Sequence, residues 1–160
     1  MNNSLESSAL SAWVDHIPVL WFEAHDQLQV RKLILFLPHF TGAKESTAPF
    51  LKDIAAAGFV ALSFDPWQHG ERGKESQAEM MTRVFGNFRR NMWPILGQTI
   101  LDTLKVIDWA LATLDVGPTI YMGGVSMGGD VSVAAAVNRS SHRTGSRGRR
   151  NSGLAPSGNA

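Results

Sequence analysis

Short apolar segments alternate with helical patterns along residues 17–137, and this alternation limits the chain to a few architectures. Residues 31–37 form a nearly continuous apolar run, which is typical of a strand covered on both faces. Further strands are predicted at residues 17–24, 59–64 and 119–125. Helical spacing of apolar residues predicts helices near residues 47–57, 76–92, 95–114 and 127–137. Strands that alternate with helices predict an α/β fold with a mostly parallel sheet and flanking helices.

Helix boundaries are predicted from residues that start or stop helices. Thr47 is expected to cap the first helix, with Pro49 in its first turn and Gly58 at its end. Pro94 is expected to separate the second helical stretch from the third. The predicted buried faces of the first and third helices contain these residues: Phe50, Leu51, Ile54 and Ala55; and Leu101, Leu104, Ile107, Leu111 and Leu114.

The end of the chain has a different composition from the rest. Residues 138–160 contain five arginines, no acid and one large aliphatic residue, Leu154, whereas residues 1–137 contain ten basic and fourteen acidic residues. Because so few apolar side chains cannot offset the entropy of ordering, we predict a disordered tail rich in Arg, Ser and Gly. Residues 17–137 then form a partial α/β domain, preceded by a lead-in at residues 1–16. Arginine-rich segments can bind nucleic acid, but this tail has no aromatic residue for base stacking, so we interpret it as solvated.

Composition also excludes several classes of protein. The chain has no cysteine, which rules out disulfides, thiolate metal sites and a cysteine nucleophile. No apolar run approaches the roughly 18 residues of a membrane span. Residues 1–12 lack a basic cluster followed by an apolar stretch, so no secretory signal is predicted. We therefore expect a cytoplasmic protein with no membrane partner.

The motif that carries chemistry is Gly124-Val125-Ser126-Met127-Gly128, a G-x-S-x-G placed between a predicted strand and a predicted helix. A turn of this kind holds the serine in a strained conformation with its hydroxyl raised, and side chains two residues before and after it would collide. The helix N-terminus stabilises negative charge, so the Met127 N–H is a natural oxyanion donor. Two alternatives stay open at this point: a phosphate loop, disfavoured because Asp130 would repel phosphate, and a glycine-rich turn without chemistry.

Three segments in order carry a resemblance to a known family: LILFLPHFTGAKE, FVALSFDPWQHGERG and IYMGGVSMGGD. They resemble bacterial α/β-hydrolases of the dienelactone-hydrolase and prolyl-oligopeptidase-related esterase type, over roughly residues 17–137. The resemblance implies that Ser126 attacks an ester or other acyl bond of a small molecule and forms an acyl-enzyme. It implies no cofactor. The substrate itself is not predicted, although Trp67, Phe85, Phe88 and Trp93 suggest an apolar mouth.

The resemblance also implies roles for residues in two other loops. In this family the stretch that corresponds to the residues after the predicted strand 31–37 supplies a second oxyanion N–H. Pro38 and His39 stand here where the family usually has His and Gly, and Phe40 is then the donor. His39, Asp65 and His69 are expected to shape the site and hold its loops by hydrogen bonds. No metal site is expected, because nothing supplies a third ligand beside Asp65 and His69.

The partners of the serine are missing from the pattern. The family's triad continues with an acid and then a histidine, but after Ser126 the chain contains only Asp130 and His142. We therefore expect a truncated form that lacks the triad acid and histidine, although replacement by His39 or His69 stays open. Residues 119–125 would form an exposed strand edge through which copies could self-associate. The alternative function is a non-catalytic binding module with the same fold.

Overall fold

The computed structural model describes residues 8–23 and 31–148 of the 160-residue chain, with side chains to residue 140. Within these ranges the strands are β1 (Leu10–Val14), β2 (Ile17–Phe22), β3 (Leu33–Leu37), β4 (Val60–Phe64) and β5 (Ile120–Gly124). The α-helices are α1 (Ala48–Ala56), α2 (Gln77–Gly86), α3 (Phe88–Thr113) and α4 (Met127–Gly148). Short 3-10 helices lie at Lys44–Thr47 and Gly70–Arg72. None of the described helices combines the length and apolar character needed to cross a bilayer.

The five strands form one mixed sheet in the order β1-β2-β4-β3-β5. β3 pairs in parallel with both β4 and β5, so that Leu35 lies beside Leu62 on one side and Met122 on the other. β1 and β2 are antiparallel additions at the far edge. The α/β class with flanking helices is confirmed. The parallel part places the carboxyl ends of β3, β4 and β5 at one edge of the sheet, where ligand sites of such folds lie.

Side-chain alternation along the strands produces two cores on opposite faces of the sheet. The larger core contains Leu33, Leu35 and Leu37 of β3 together with buried residues of α3 and α4. The smaller core lies under α1, whose Leu51 and Ala55 pack with Ala61 of β4. Phe50 is 47% exposed, so the predicted buried face of α1 is narrower than expected.

The lead-in predicted for residues 1–16 contains a strand that the sequence analysis missed. β1 pairs with β2 through a two-residue turn, in which Val14 lies opposite Ile17 and Asp15 has φ +54°. The alternation of Leu10, Ala12 and Val14 with Ser11 and Trp13 was the available signal.

Pro94 does not separate two helices as predicted, because α3 runs through it. The break lies earlier, at Asn87, whose side chain accepts a hydrogen bond from the Arg90 N–H at 3.3 Å and caps α3. Pro94 is exposed, so water can solvate the carbonyl that its missing N–H leaves unpaired. Thr47 likewise does not cap α1, since its hydroxyl donates to the Lys44 carbonyl.

The buried face of α3 also differs from the prediction. Leu101 is 57% exposed, whereas Asp102, Thr103 and Val106 are buried. Asp102 can lie on the inner face of α3 because it forms an ion pair there, 2.8 Å from the Arg72 guanidinium. A count of apolar residues cannot anticipate such a pair.

The segment predicted to be disordered from residue 138 is helical in its first part. The backbone of α4 stays helical to Gly148, and residues 149–160 lie outside the described residues. Arg139 contacts Asp108 of α3 at 3.0 Å, and the side chain of Asn138 donates to the Ala134 carbonyl one turn earlier. Both contacts are polar, one joining α4 to α3 and the other lying within α4, so this part of the helix is supported without apolar burial.

Candidate active site

Ser126 lies in the connection between β5 and α4, at the sheet edge where the parallel strands end. The strand ends at Gly124, the helix begins at Met127, and Ser126 has φ +49°. A residue other than glycine in this left-handed region stores about 1–2 kcal/mol of strain. Ser126 is also solvent-exposed. The strand–turn–helix geometry predicted around the serine is therefore present, with the residue strained and accessible.

The two glycines of the motif are required by close backbone contact. A Cβ atom at Gly128 would lie 2.3 Å from the Leu37 carbonyl oxygen, and one at Gly124 would lie 2.6 Å from the same oxygen. The Val125 N–H donates to that oxygen at 3.0 Å. Real Cβ atoms do not approach backbone so closely, so both positions exclude any side chain. The collision predicted from the motif is confirmed, and the turn is pressed against the end of β3.

The first turn of α4 leaves one N–H without a partner. Gly128 N–H donates to the Val125 carbonyl, and the N–H groups of Gly129 and Asp130 donate to the Ser126 carbonyl. Within the described residues the Met127 N–H has no hydrogen-bond acceptor. The same holds for the Phe40 N–H in the loop after β3. Neither of the two N–H groups predicted to bind an oxyanion is therefore occupied by an acceptor among the described residues.

His39 lies on the exposed side of the loop after β3. Its Nδ1–H donates to the Phe40 carbonyl oxygen at 2.6 Å. The ring covers Gly42, where a Cβ atom would lie 3.1 Å from its Nε2. His39 therefore braces its own loop.

His69 is buried, and both of its ring nitrogens are occupied. Nδ1 lies 2.8 Å from the Trp67 carbonyl oxygen, and Nε2 lies 3.0 Å from the Thr41 backbone nitrogen. A carbonyl only accepts and an amide N–H only donates, so Nδ1 carries the proton and Nε2 accepts. Burial lowers the pKa of His69, against the opposing effects of the Trp67 carbonyl and the Asp65 charge. A neutral imidazole with no free nitrogen cannot take a proton from Ser126 without giving up the Thr41 bond.

Asp65 follows β4 and is fully buried. Its carboxylate accepts from the backbone N–H of Lys44 at 2.8 Å and of Glu71 at 2.9 Å, and from the Lys44 ammonium at 3.2 Å. Burial disfavours the Lys44 charge, but hydrogen bonds to Glu45 and Glu71 and the Asp65 charge outweigh it and raise the pKa of Lys44. Asp65 therefore ties the loop after β3 to the loop after β4.

Sequence reasoning missed three residues of this framework. Lys44 is buried, and a buried lysine beside the aspartate after β4 could not be inferred from spacing alone. The Arg72–Asp102 pair joins the loop after β4 to α3, with the guanidinium 4.9 Å from the Trp67 ring centroid. An aspartate among the apolar positions of α3 was the only signal for this pair.

An aromatic surface lies beside the Phe40 loop. The Phe85 ring is 6.1 Å from Phe40 and 5.9 Å from Phe88, measured between centroids. Phe85 is 60% exposed and Phe88 is 47% exposed. Trp67, by contrast, is only partly exposed and packs beneath Arg72. Of the four aromatic residues expected at the mouth, Phe85 contacts this loop and Phe88 contacts Phe85.

No described histidine makes a hydrogen bond to Ser126. No described side chain makes a hydrogen bond to its hydroxyl, and the nitrogens that bond in His39 and His69 are directed at backbone groups. His142 has no described side chain. In the part of the chain with described side chains, no three His, Asp or Glu residues are grouped to hold a metal ion.

The sequence matches no protein-family model. No curated protein is significantly similar to it. Comparison of the fold with solved structures does find relatives. The structure of TT1662 from Thermus thermophilus aligns with a TM-score of 0.66 at 19% identity, covering 82% of this chain and 52% of that one.

Two further similar structures are those of a phosphotriesterase and of a protein with ferulic acid bound. A dienelactone hydrolase-like promiscuous phosphotriesterase from metagenomic libraries aligns with a TM-score of 0.55 at 15% identity, covering 82% of this chain and 54% of the other. Est1E from Butyrivibrio proteoclasticus, solved with ferulic acid bound, aligns with a TM-score of 0.55 at 21% identity, covering 83% and 49%. The resemblance to α/β-hydrolases predicted from the motifs is thus confirmed at the level of the fold. The chain spans about half the length of the structures it matches.

Proposed function

We propose that Ser126 is the nucleophile of an acyl hydrolase and that its substrate is a small-molecule ester or related acyl compound. The observation that carries this proposal is the conformation of Ser126, which is exposed at φ +49° between β5 and α4. Strain of this size persists only where the surroundings impose it, and it concentrates at functional sites. Here the positions on both sides of Ser126, Gly124 and Gly128, lie too close to the Leu37 carbonyl to carry a side chain.

The chemistry follows from the groups around the turn. Ser126 Oγ attacks the carbonyl carbon of the substrate, and its proton passes to a general base. The carbonyl oxygen becomes an oxyanion that the N–H groups of Met127 and Phe40 stabilise, aided by the positive end of α4. The C–O bond to the leaving alcohol then breaks, the alcohol takes the proton, and an acyl-enzyme remains for water to hydrolyse.

The general base is not among the described contacts of Ser126. His69 is engaged on both nitrogens, and His39 braces Phe40. We therefore propose that this chain corresponds to part of a hydrolase, lacks the acid and histidine of the triad, and shows no turnover above that of Ser126→Ala. The alternative is a non-catalytic binding module that keeps the same turn.

Covalent labelling supplies the test of the nucleophile. The chain is treated with a fluorophosphonate, with and without free imidazole to replace the absent base, and the modified residue is located by mass spectrometry. We expect label on Ser126 that imidazole accelerates, none on Ser126→Ala, and no change in Ser11→Ala, which removes an exposed hydroxyl from β1. Folded protein that labels no faster at Ser126 than at other exposed serines would contradict the proposal.

Turnover provides a separate test of the missing base. Hydrolysis of p-nitrophenyl acetate by the chain should equal that of Ser126→Ala. Turnover clearly above this control would leave the nucleophile assignment intact and overturn the claim that the base is absent.

We also propose that copies of this chain self-associate through β5. This strand pairs only with β3 among the described strands, and Tyr121 on it is 46% exposed. An unpaired strand edge is a template for further pairing. Tyr121→Lys should lower the associated fraction in sedimentation, whereas Leu10→Lys on the opposite edge strand should not. Equal association of all three proteins would refute association through β5.

The cytoplasmic location stays a prediction.

A further inference from the structure

One peptide unit of the loop after β3 is held at both ends by histidines. The carbonyl of the Phe40–Thr41 peptide accepts from His39 Nδ1–H at 2.6 Å, and its N–H donates to His69 Nε2 at 3.0 Å. The preceding N–H, that of Phe40, has no acceptor within the described residues. The two histidines therefore fix the peptide that directly follows the free donor.

The backbone on both sides of the His69 bond is strained. Thr41 has φ +71°, and Gln68, which precedes His69, has φ +66°. Neither residue is glycine, so both conformations are unfavourable unless tertiary contacts hold them. Besides the His69 bond, Gln77 Nε2 donates to the Thr41 carbonyl at 3.2 Å. That bond starts from an exposed side chain and is the weaker restraint. The Gly42 N–H also donates to the His39 carbonyl at 2.9 Å and closes the turn that contains Phe40 and Thr41.

His69 itself cannot move easily. The side chain is 2% exposed, Nδ1–H is bonded to the Trp67 carbonyl, and the ring meets the Phe40 ring edge-on at 5.7 Å. Its backbone N–H donates to the Pro66 carbonyl at 2.9 Å. His69 thus transmits the position of the β4 loop to the Phe40 loop.

We propose that His69 is the positioning residue of the oxyanion site: its Nε2 holds Thr41 in the left-handed conformation and thereby directs the Phe40 N–H toward a carbonyl bound at Ser126. This inference rests on the proposed function for the identity of the bound group. The restraint on Thr41 and Phe40 is a property of the protein alone and can be measured without turnover.

Protonation of His69 should release the restraint, because Nε2 would then carry a proton that opposes the Thr41 N–H. The groups that act on His69 are the Asp65 carboxylate, the Trp67 carbonyl, His39 and Arg83. Asp65 and the carbonyl favour the protonated ring, whereas burial, His39 and Arg83 disfavour it. The release should therefore occur in acid, below the ordinary range of histidine.

Two substitutions separate the two nitrogens of His69. A glutamine side chain places its oxygen near the position of Nε2, so His69→Gln can still accept from Thr41. An asparagine side chain reaches only to the position of Nδ1, so His69→Asn can keep the Trp67 bond but loses the Thr41 bond. The measurements are amide hydrogen exchange at Thr41 and residual dipolar couplings of the Thr41 and Phe40 N–H groups in the full chain.

We expect exchange at Thr41 about tenfold faster in His69→Asn and near the wild-type rate in His69→Gln, as for the loss of one buried hydrogen bond. The Phe40 coupling should change only in His69→Asn. Ser126→Ala should change neither, so failure here is distinct from failure of the hydrolase proposal. Wild-type protection at Thr41 in folded His69→Asn would overturn the inference.

If His69→Asn does not fold, measurements on the wild-type protein alone test the restraint. The ¹⁵N shifts of the His69 ring should show the proton on Nδ1, and protection at Thr41 should be lost in step with protonation of Nε2. If the protection of the Thr41 amide from hydrogen exchange does not change as His69 titrates, the proposed restraint is refuted.

Discussion

The turn at Ser126 and the loop around Asp65 lie at the same edge of the sheet but are held in different ways. In the turn, backbone is pressed on backbone where Gly124 and Gly128 meet the Leu37 carbonyl, and the Ser132 hydroxyl donates to the Gly123 and Gly128 carbonyls. The Asp65 loop is held by buried polar side chains, chiefly the contacts of Asp65 with Lys44 and of His69 with Thr41. The close backbone approach leaves Ser126 exposed, whereas the buried polar network joins the neighbouring loops to each other. Each of the following predictions tests this difference.

The largest effect is expected at Asp65. Asp65→Ala leaves the buried Lys44 ammonium without its buried partner, and breaking such a pair costs about 3 kcal/mol, the lower end for this change because Glu45 and Glu71 still contact Lys44. Urea denaturation measures the free energy of unfolding. Asp108→Ala is the control, since its pair with Arg139 is exposed on the Asp108 side and should be worth under about 1 kcal/mol. Similar losses in both variants would show that the Asp65 network is not a special restraint.

The next effect is expected at Gly128. Gly128→Ala places a methyl group against the Leu37 backbone and should lower the free energy of unfolding by about 1–3 kcal/mol. Gly97→Ala provides a matched control, for which the expected change in the free energy of unfolding has the opposite sign. Its Cβ would meet nothing within 4 Å inside α3, so it should stabilise the protein by about 0.5–1 kcal/mol. If Gly128→Ala were as stable as the wild type, the turn would not depend on close backbone contact.

A smaller effect is expected from the strain at Ser126. Ser126→Gly and Ser126→Ala both remove the hydroxyl, but only glycine adopts φ +49° freely. The glycine variant should therefore be more stable by about 0.5–1 kcal/mol, after allowance for the greater freedom of its unfolded chain. The same pair at Thr82, in α2, should show the reverse order, because glycine weakens a helix interior. Thermal unfolding compares the four proteins, and the same order at both positions would argue against stored strain.

The smallest effect is the pH dependence that His69 contributes. Its pKa is lowered in the folded protein from the ordinary value of 6.5, so the unfolded chain binds more protons in mild acid. The contribution is present in full above the unfolded value and is lost as pH falls through the lower folded value. Wild-type protein should lose more stability than His69→Gln when pH is lowered from neutral through this range, as measured by urea denaturation. Parallel curves for the two proteins would contradict a neutral buried His69.

Local patterns predicted much of this molecule. Apolar runs located β2, β3, β4 and β5 to within a few residues, and the motif around Ser126 predicted both the turn and the exclusion of side chains at Gly124 and Gly128. These features depend on neighbours in sequence, where periodicity and glycine spacing carry the information. The predicted break at Pro94 and the predicted disorder from residue 138 were wrong, because a cap at Asn87 and polar contacts of α4 outweighed the signals from Pro94 and from composition.

The sequence by itself determined the α/β class and placed a strained, glycine-flanked serine between a strand and a helix. Only the tertiary structure decided that Lys44 pairs with Asp65 and Arg72 with Asp102. It also decided that both ring nitrogens of His69 form hydrogen bonds to backbone groups. The physical reason is the range of the interactions. Backbone conformation and side-chain periodicity depend on residues close in sequence, whereas the partners of these buried polar groups lie up to about thirty positions away. A buried polar group left without a partner would lower the free energy of unfolding.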